Sequence, residues 1–246
     1  MADHPPVEAY DELDSTNAEA RRRAEAGDGG PVWITAKRQT SGRGRRGRAW
    51  STETGNLAAT LLTTTELAPA EAAQFSFVAA LAAADLAETC MGPGAARLKW
   101  PNDVLVFGRK AVGILVESGA LADGRLWLAI GVGVNLAGAP SGLERPATAF
   151  AAHMAGPPPT PLEALDVLAN RFEVWREVWA AKGFAAIAAA WTARAHGLGE
   201  RCEAHLANGT LWGVAEGLDP DGALRLRLDG GAVERITAGD VFFGGN

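Results

Sequence analysis

Gln39-Thr-Ser-Gly42-Arg43-Gly44-Arg45-Arg46-Gly47-Arg48-Ala-Trp50, with Asn56-Leu-Ala-Ala-Thr-Leu-Leu-Thr-Thr-Thr65 downstream, is the stretch on which the fold turns. Residues 42–48 hold four arginines and three glycines. Glycine lets the backbone bend through positive φ and approach a ligand closely, and each arginine offers a planar fork of donors suited to carboxylate or phosphate. Gly42-x-Gly44-x-x-Gly47 has the spacing of a dinucleotide-binding fingerprint, but that fingerprint needs a helix to open directly after the glycines. Here residues 48–65 read as a turn followed by a Thr- and Leu-rich strand, which sets a doubly wound dinucleotide fold aside. Four like charges in one short loop repel, and glycine gains nothing from burial, so the loop is expected to order by closing on its substrate.

A nucleic-acid patch and a solvated charge run are the other readings of this loop. The whole chain carries a net charge of −6, with a pI near 5.3. It therefore repels nucleic acid and anionic membrane overall, and the arginine loop is a local exception that favours a small anionic ligand. A length of 246 residues with 48% hydrophobic content supports a large core and leaves room for a second, smaller domain. Cys90 and Cys202 are too few for a disulfide framework or a thiolate metal site, consistent with a reducing cytoplasm. His4, His153, His196 and His205 form no metal-binding pair. The opening Met-Ala-Asp-His-Pro-Pro has neither the basic end nor the apolar run of a signal peptide. The apolar segment Phe75–Ala87 is interrupted by Ser76 and Asp85 and is too short to span a bilayer, so no membrane association is expected.

Thr16-x-x-Glu19 reads as a capping box and Gly27 as a stop, giving a short helix over 17–26. Val32–Ala36 reads as a strand entering the arginine loop, and Pro69–Cys90 as one long buried helix. Residues 103–107, 111–117 and 126–135 read as strands, the first two joined by the hairpin chemistry of Gly108-Arg109-Lys110. Helices are expected over Pro161–Lys182 and Phe184–Ala195. Beyond Gly197 short alternating strands are punctuated by Asn208-Gly209, Asp221-Gly222 and Gly230-Gly231, as in a small β-barrel. The expectation is an α+β protein: a mixed or antiparallel sheet backed by helices over 1–197, and a small C-terminal SH3-like β-barrel over 198–246.

Taken together, the loop Gly42–Arg48, the block Lys99-Trp100-Pro101-Asn102-Asp103, Lys110-x-x-Gly113-Ile114-Leu and Gly131-Val-Gly133-Val-Asn135 stand in the order and spacing of the biotin protein ligases. The resemblance covers nearly the whole chain. It implies a ligase that forms biotinyl-5′-AMP from biotin and ATP, with Mg²⁺ accompanying the nucleotide, and transfers biotin to a lysine of the biotin carboxyl carrier domain of a carboxylase such as acetyl-CoA carboxylase. Some relatives carry an N-terminal winged helix and act as repressors. The few residues before Ser15 imply a short form with no specific nucleic-acid partner.

By resemblance, Lys110, Arg43 and Arg45 are the catalytic cations. Ser15, Thr16, Asn17 and Gln39 surround the ureido end of biotin, and Arg43, Gly44, Arg45, Lys110, Gly113 and Ile114 complete its pocket. Arg43, Arg45, Arg46, Trp50, Lys110 and Asn135 serve ATP, with Trp50 and Asn135 at adenine. Asp103 is a candidate metal ligand or an anchor for the turn after Pro101. The residues suit this chemistry independently of the family. Two unit charges about 4 Å apart repel by roughly 4 kcal/mol at an effective dielectric near 20, so joining a carboxylate to a triphosphate requires cations. A lipoyl or octanoyl ligase or transferase of the same fold is the rival enzyme reading. A nucleic-acid-binding module is the rival from another class, and it lacks the interleaved aromatics of a stacking platform.

Overall fold

Alternation along Leu57–Thr65 (β3) sets the plan. Leu57, Ala59 and Leu61 belong to one buried cluster, while Leu62 belongs to another on the opposite side of the sheet. The computed structural model describes residues 4–142 and 147–244; the first three residues of the opening hexapeptide lie outside that range. Seven strands make the main sheet: Val7–Leu13 (β1), Val32–Gln39 (β2), β3, Ala96–Lys99 (β4), Asp103–Val106 (β5), Arg109–Ala120 (β6) and Leu126–Val134 (β7). Their order is β1-β2-β3-β7-β6-β5-β4, with β1 parallel to β2 and every other pair antiparallel. The sheet is mixed, as its sequence implied. Strands β1 and β4, at its two edges, were not expected.

One face is covered by helices. Phe75–Met91 (α2) is buried on nearly every side, from Phe77 through Ala84, so its apolar run is that of a core helix. The segment Pro69–Met91 is long and apolar enough to cross a bilayer, yet 72% of its most apolar window is buried inside the protein. The single helix expected from Pro69 to Cys90 is broken: Pro69–Ala72 forms its own turn, and the chain resumes helix at Phe75. Pro161–Lys182 (α3) opens on a capping box between Thr160 and Glu163 and stops at Gly183, φ 72°. Phe184–Ala193 (α4) follows and ends two residues earlier than expected. Phe75 stacks on Phe172, and Phe77 meets Phe184 and Trp191 edge-on, tying the three helices together.

The opposite face holds Thr16–Glu25 (α1), which packs Ala20 and Ala24 on Ile34, Leu62, Trp127 and Ala129. Its cap differs from expectation. Ser15, not Thr16, is the N-cap, and no capping box forms, because Glu19 turns to Arg22 and Arg23 instead. That frees the Thr16 hydroxyl for the interior.

Arg201–Leu206 (β8), Gly209–Leu218 (β9), Leu224–Leu228 (β10), Val233–Ile236 (β11) and Asp240–Phe243 (β12) form a second, antiparallel sheet in the order β11-β10-β9-β8-β12. This antiparallel sheet is consistent with the expected SH3-like domain, and among the described residues its end strands β11 and β12 do not pair to close it. Leu224, Leu226, Ala215 and Val241 continue the main core, and Trp100 Nε1 donates to Gly222 O at 3.1 Å.

Asn56 locks the connection after β7. Its Oδ1 accepts from the backbone N–H groups of Leu136, Ala137 and Gly138, and its Nδ2 donates to Gly138 O at 2.8 Å. Asn56→Ala strips three buried or half-buried donors of their acceptor and is expected to cost about 2–4 kcal/mol, read as a lowered midpoint in urea unfolding with an unchanged slope.

Candidate active site

The register of β6 and β7 pairs Gly113 with Gly133 and Leu115 with Gly131, so three glycines leave a patch on the sheet face carrying α1 that is bare of side chains except for Leu115. The Trp50 indole lies on this patch. A Cβ on Gly113 would come within 2.7 Å of its Cζ3, and one on Gly133 within 2.6 Å of its Cζ2. Both positions therefore need glycine for close approach. The hairpin between β5 and β6 turns at Phe107 and Gly108, φ 46° and 80°, and delivers Lys110 beside Asp103. Lys110 Nζ lies 2.6 Å from Asp103 Oδ1 and 5.7 Å from the centroid of the Trp50 ring.

A cavity of about 860 Å³ opens over this floor. Of the residues singled out from sequence, Ser15, Thr16, Asn17, Gln39, Arg43, Gly44, Arg45, Trp50, Lys110, Gly113, Ile114 and Asn135 all line it, as does Asp103. Arg46 does not line it and turns to the second sheet instead. A further cavity of about 830 Å³ lies against β3, α2 and α3; its charged lining is Glu66, Glu71 and Glu173 against Arg176, with His4. Three carboxylates against one guanidinium repel anionic substrates, so the first cavity is the one fitted to them.

At one end of the cavity the polar groups of α1 are knitted to the sheet. Thr16 N–H and Oγ1 both donate to Gln39 Oε1, and Gln39 Nε2 donates to Thr52 Oγ1. Fully buried Thr60 lies 2.7 Å from Asn17 Oδ1 and 2.8 Å from Thr16 Oγ1. Asn17 Nδ2 donates to Leu115 O and to Glu117 Oε2. Asn17 thus spends both of its hydrogens inside the protein, whereas Ser15 Oγ accepts from Ala18 N–H at 3.5 Å and keeps its own hydrogen to donate. At the other end Asn135, 2% exposed, gives its amide to Thr148 O.

The arginine loop reaches across to the second sheet. Arg48 and Arg46 both pair with Asp240 Oδ2, and Arg46 also donates to His205 O. Arg45 donates to Asn102 Oδ1 and Gly239 O, and burial holds its guanidinium below the ordinary arginine range, with Asp240 and Asp103 opposing that shift. Arg43 faces Glu117 at 3.7 Å. Burial likewise pushes the Cys202 thiol up to about 11, keeping it protonated and unreactive near neutrality. Among the described residues no group of three or more His, Cys, Asp or Glu could hold a metal ion.

Thr60, Asn102, Glu117 and Asp240 were not assigned site roles from sequence. Asn102 stands inside the Lys99–Asp103 block and Glu117 ends the expected strand over 111–117, so their positions were visible and only their partners were not. Asp240 gave no signal, because an Asp in a terminal strand is ordinary until its long-range partners are known.

Asp240→Asn removes the charge that gathers Arg46 and Arg48. Trypsin is expected to cut after these two residues roughly threefold faster, in line with partly exposed ion pairs worth up to about 1 kcal/mol. Unchanged cleavage would show that Asp240 does not hold the loop.

Residues 12–135 match the Biotin/lipoate A/B protein ligase family, and residues 197–244 match the Biotin protein ligase C terminal domain. The chain is 46% identical over 238 residues to the Biotin--[acetyl-CoA-carboxylase] ligase of Paracoccus denitrificans, covering 94% of this chain and 98% of that protein. It is 29% identical to the Bifunctional ligase/repressor BirA of Bacillus subtilis, covering 96% of this chain and 73% of the relative. Among solved structures, the biotin protein ligase from Aquifex aeolicus in complex with biotin and ATP superposes with a TM-score of 0.80 at 26% identity, covering 98% of this chain and 99% of that one. From these matches, spread over both sheets, the chain belongs to the biotin/lipoate A/B protein ligase family, on its biotin protein ligase branch.

Proposed function

We propose that this protein is an ATP-dependent biotin protein ligase: it forms biotinyl-5′-AMP and passes the biotinyl group to a lysine of a biotin carboxyl carrier domain, that of acetyl-CoA carboxylase in the first place. The observation that carries the reading is a single cavity with a hydroxyl- and amide-lined end at Ser15–Asn17, a glycine floor, and Arg43, Arg45 and Lys110 along its wall. A cyclic urea asks for a few hydrogen-bonding partners beside an apolar wall, and a carboxylate meeting a triphosphate asks for cations.

In the first step the biotin carboxylate attacks the α-phosphorus and pyrophosphate leaves; in the second the carrier amine attacks the mixed anhydride carbonyl and AMP leaves. Lys110 sits between Asp103 and the Trp50 ring, so a substrate carboxylate or phosphate takes over a cation that Asp103 already orients. Arg45, partly desolvated, acts strongly on charge because little water screens it. Trp50 and Asn135 stand toward adenine in this reading. Magnesium would travel with the phosphates and water, since Asp103 is engaged with Lys110 and, among the described residues, no group of three or more His, Cys, Asp or Glu could hold it.

The arginine loop serves as a lid over the hydrolysable anhydride. The acidic net charge and the commitment of Arg46 and Arg48 to Asp240 argue against a specific nucleic-acid partner. Two free, isolated cysteines fit work in the cytoplasm.

The deciding experiment is ATP–pyrophosphate exchange with biotin, lipoate or octanoate as the acid. Exchange supported by biotin alone is expected; exchange driven by lipoate or octanoate would move the protein to the other branch of its family. Within that assay, Lys110→Ala is expected to keep biotin affinity within about threefold while slowing single-turnover adenylate formation by 10²–10³, because a contact strongest in the transition state acts on kcat. A variant as fast as wild type would take Lys110 out of the mechanism.

A further inference from the structure

Glu117 stands on the cavity side of β6, two residues beyond Leu115 and beside Ala129, and no role in the reaction has yet been given to it. Its Oε2 accepts from Asn17 Nδ2 at 2.8 Å and faces Arg43 Nη2 at 3.7 Å. One carboxylate thus touches both the buried amide at the polar end of the cavity and the first arginine of the loop. Asn17 is 4% exposed, so its orientation is set by partners rather than by water. Thr60 fixes its Oδ1, and Leu115 O and Glu117 fix its Nδ2. A Cβ at Gly131 would strike Asn17 Oδ1, so the glycine is what lets the amide lie against the strand.

We propose that Glu117 is a positioning residue for biotin binding, acting through Asn17, and that by receiving Arg43 it couples the order of the arginine loop to the filling of the biotin end. The proposal rests on the assignment of the Ser15–Asn17 end to biotin. A carboxylate is the group that can do both tasks: it accepts the amide hydrogen on one side and attracts a guanidinium on the other. Glutamine in its place keeps the first function and loses the second, which makes the two separable.

The test measures biotin affinity by calorimetry without nucleotide, and hydrogen exchange of the backbone amides over residues 42–48. Asn17→Ala and Glu117→Ala are each expected to weaken biotin about tenfold, the loss of one buried hydrogen bond, and the double variant to be no weaker than Asn17→Ala alone. Glu117→Gln is expected to hold biotin affinity within about twofold yet speed exchange in the loop roughly threefold. Glu117→Asp, which draws the carboxylate back by one methylene, replaces the alanine variant if that one does not fold. If Asn17→Ala binds biotin as tightly as wild type, the biotin end has been misassigned and the proposal falls with it. If Asn17→Ala weakens binding but Glu117→Ala does not, or if their effects add, Glu117 alone loses its role. Loop exchange in Glu117→Gln equal to wild type would remove the coupling.

Discussion

Cations gathered for an anionic substrate repel one another before the substrate arrives, and the rest of this structure is arranged around that constraint. Four of the cations face three carboxylates from different parts of the chain: Lys110 faces Asp103 at the start of β5, Arg43 faces Glu117 on β6, and Arg46 and Arg48 share Asp240 on β12. Arg45 takes neutral acceptors instead, Asn102 Oδ1 and Gly239 O. The pairs are partly exposed and individually weak, which suits exchange of partners on binding better than a buried ion pair would. A strongly desolvated pair would hold its arginine too tightly to release it to phosphate.

The sheet supplies the geometry these charges need. Antiparallel register sets Gly113 against Gly133 and Gly131 against Leu115, thinning the side chains on the face that carries α1, while α2 and α3 pack the main apolar core on the opposite face. The glycine pair Gly113 and Gly133 lets a ring lie close to the backbone, and Trp50 occupies that place here. The same face brings Thr60 and Glu117 under Asn17, so the polar end of the cavity is built from one helix N-terminus and two strands held rigid by their neighbours.

What the sequence made legible was local. The hairpin at Gly108, the helix bounded by Thr160 and Gly183, and the strand after the arginine loop all follow from short-range chemistry, and all stand in the structure. The edge strands β1 and β4 escaped because Val7–Leu13 is largely exposed and acidic, and Ala96–Lys99 is only four residues long. The cap of α1 was placed one residue late because Ser15 and Thr16 are equally good cap residues, and only the distant Gln39 and Thr60 claim Thr16 for the interior. The short strands and turns of the SH3-like segment were legible from alternation and turn dipeptides, but alternation does not say whether the last strand meets the first. In the site, residues with a motif of their own were found, and those defined by a partner far along the chain, Asp240 and Thr60, were not.

Arg46 shows why such partners matter. Its φ of 56° lies in the left-handed region, where a residue with a Cβ costs on the order of 1 kcal/mol or more, and glycine stands one position further on at Gly47, φ 74°. That conformation turns Arg46 out of the cavity to His205 O and Asp240 while the flanking Arg45 turns in to Asn102. Adjacent arginines are thereby sent in opposite directions by one strained residue. The second sheet, through β8 and β12, is the surface that makes this arrangement stable, so the C-terminal segment is a structural part of the arginine loop rather than an appendage to the cavity.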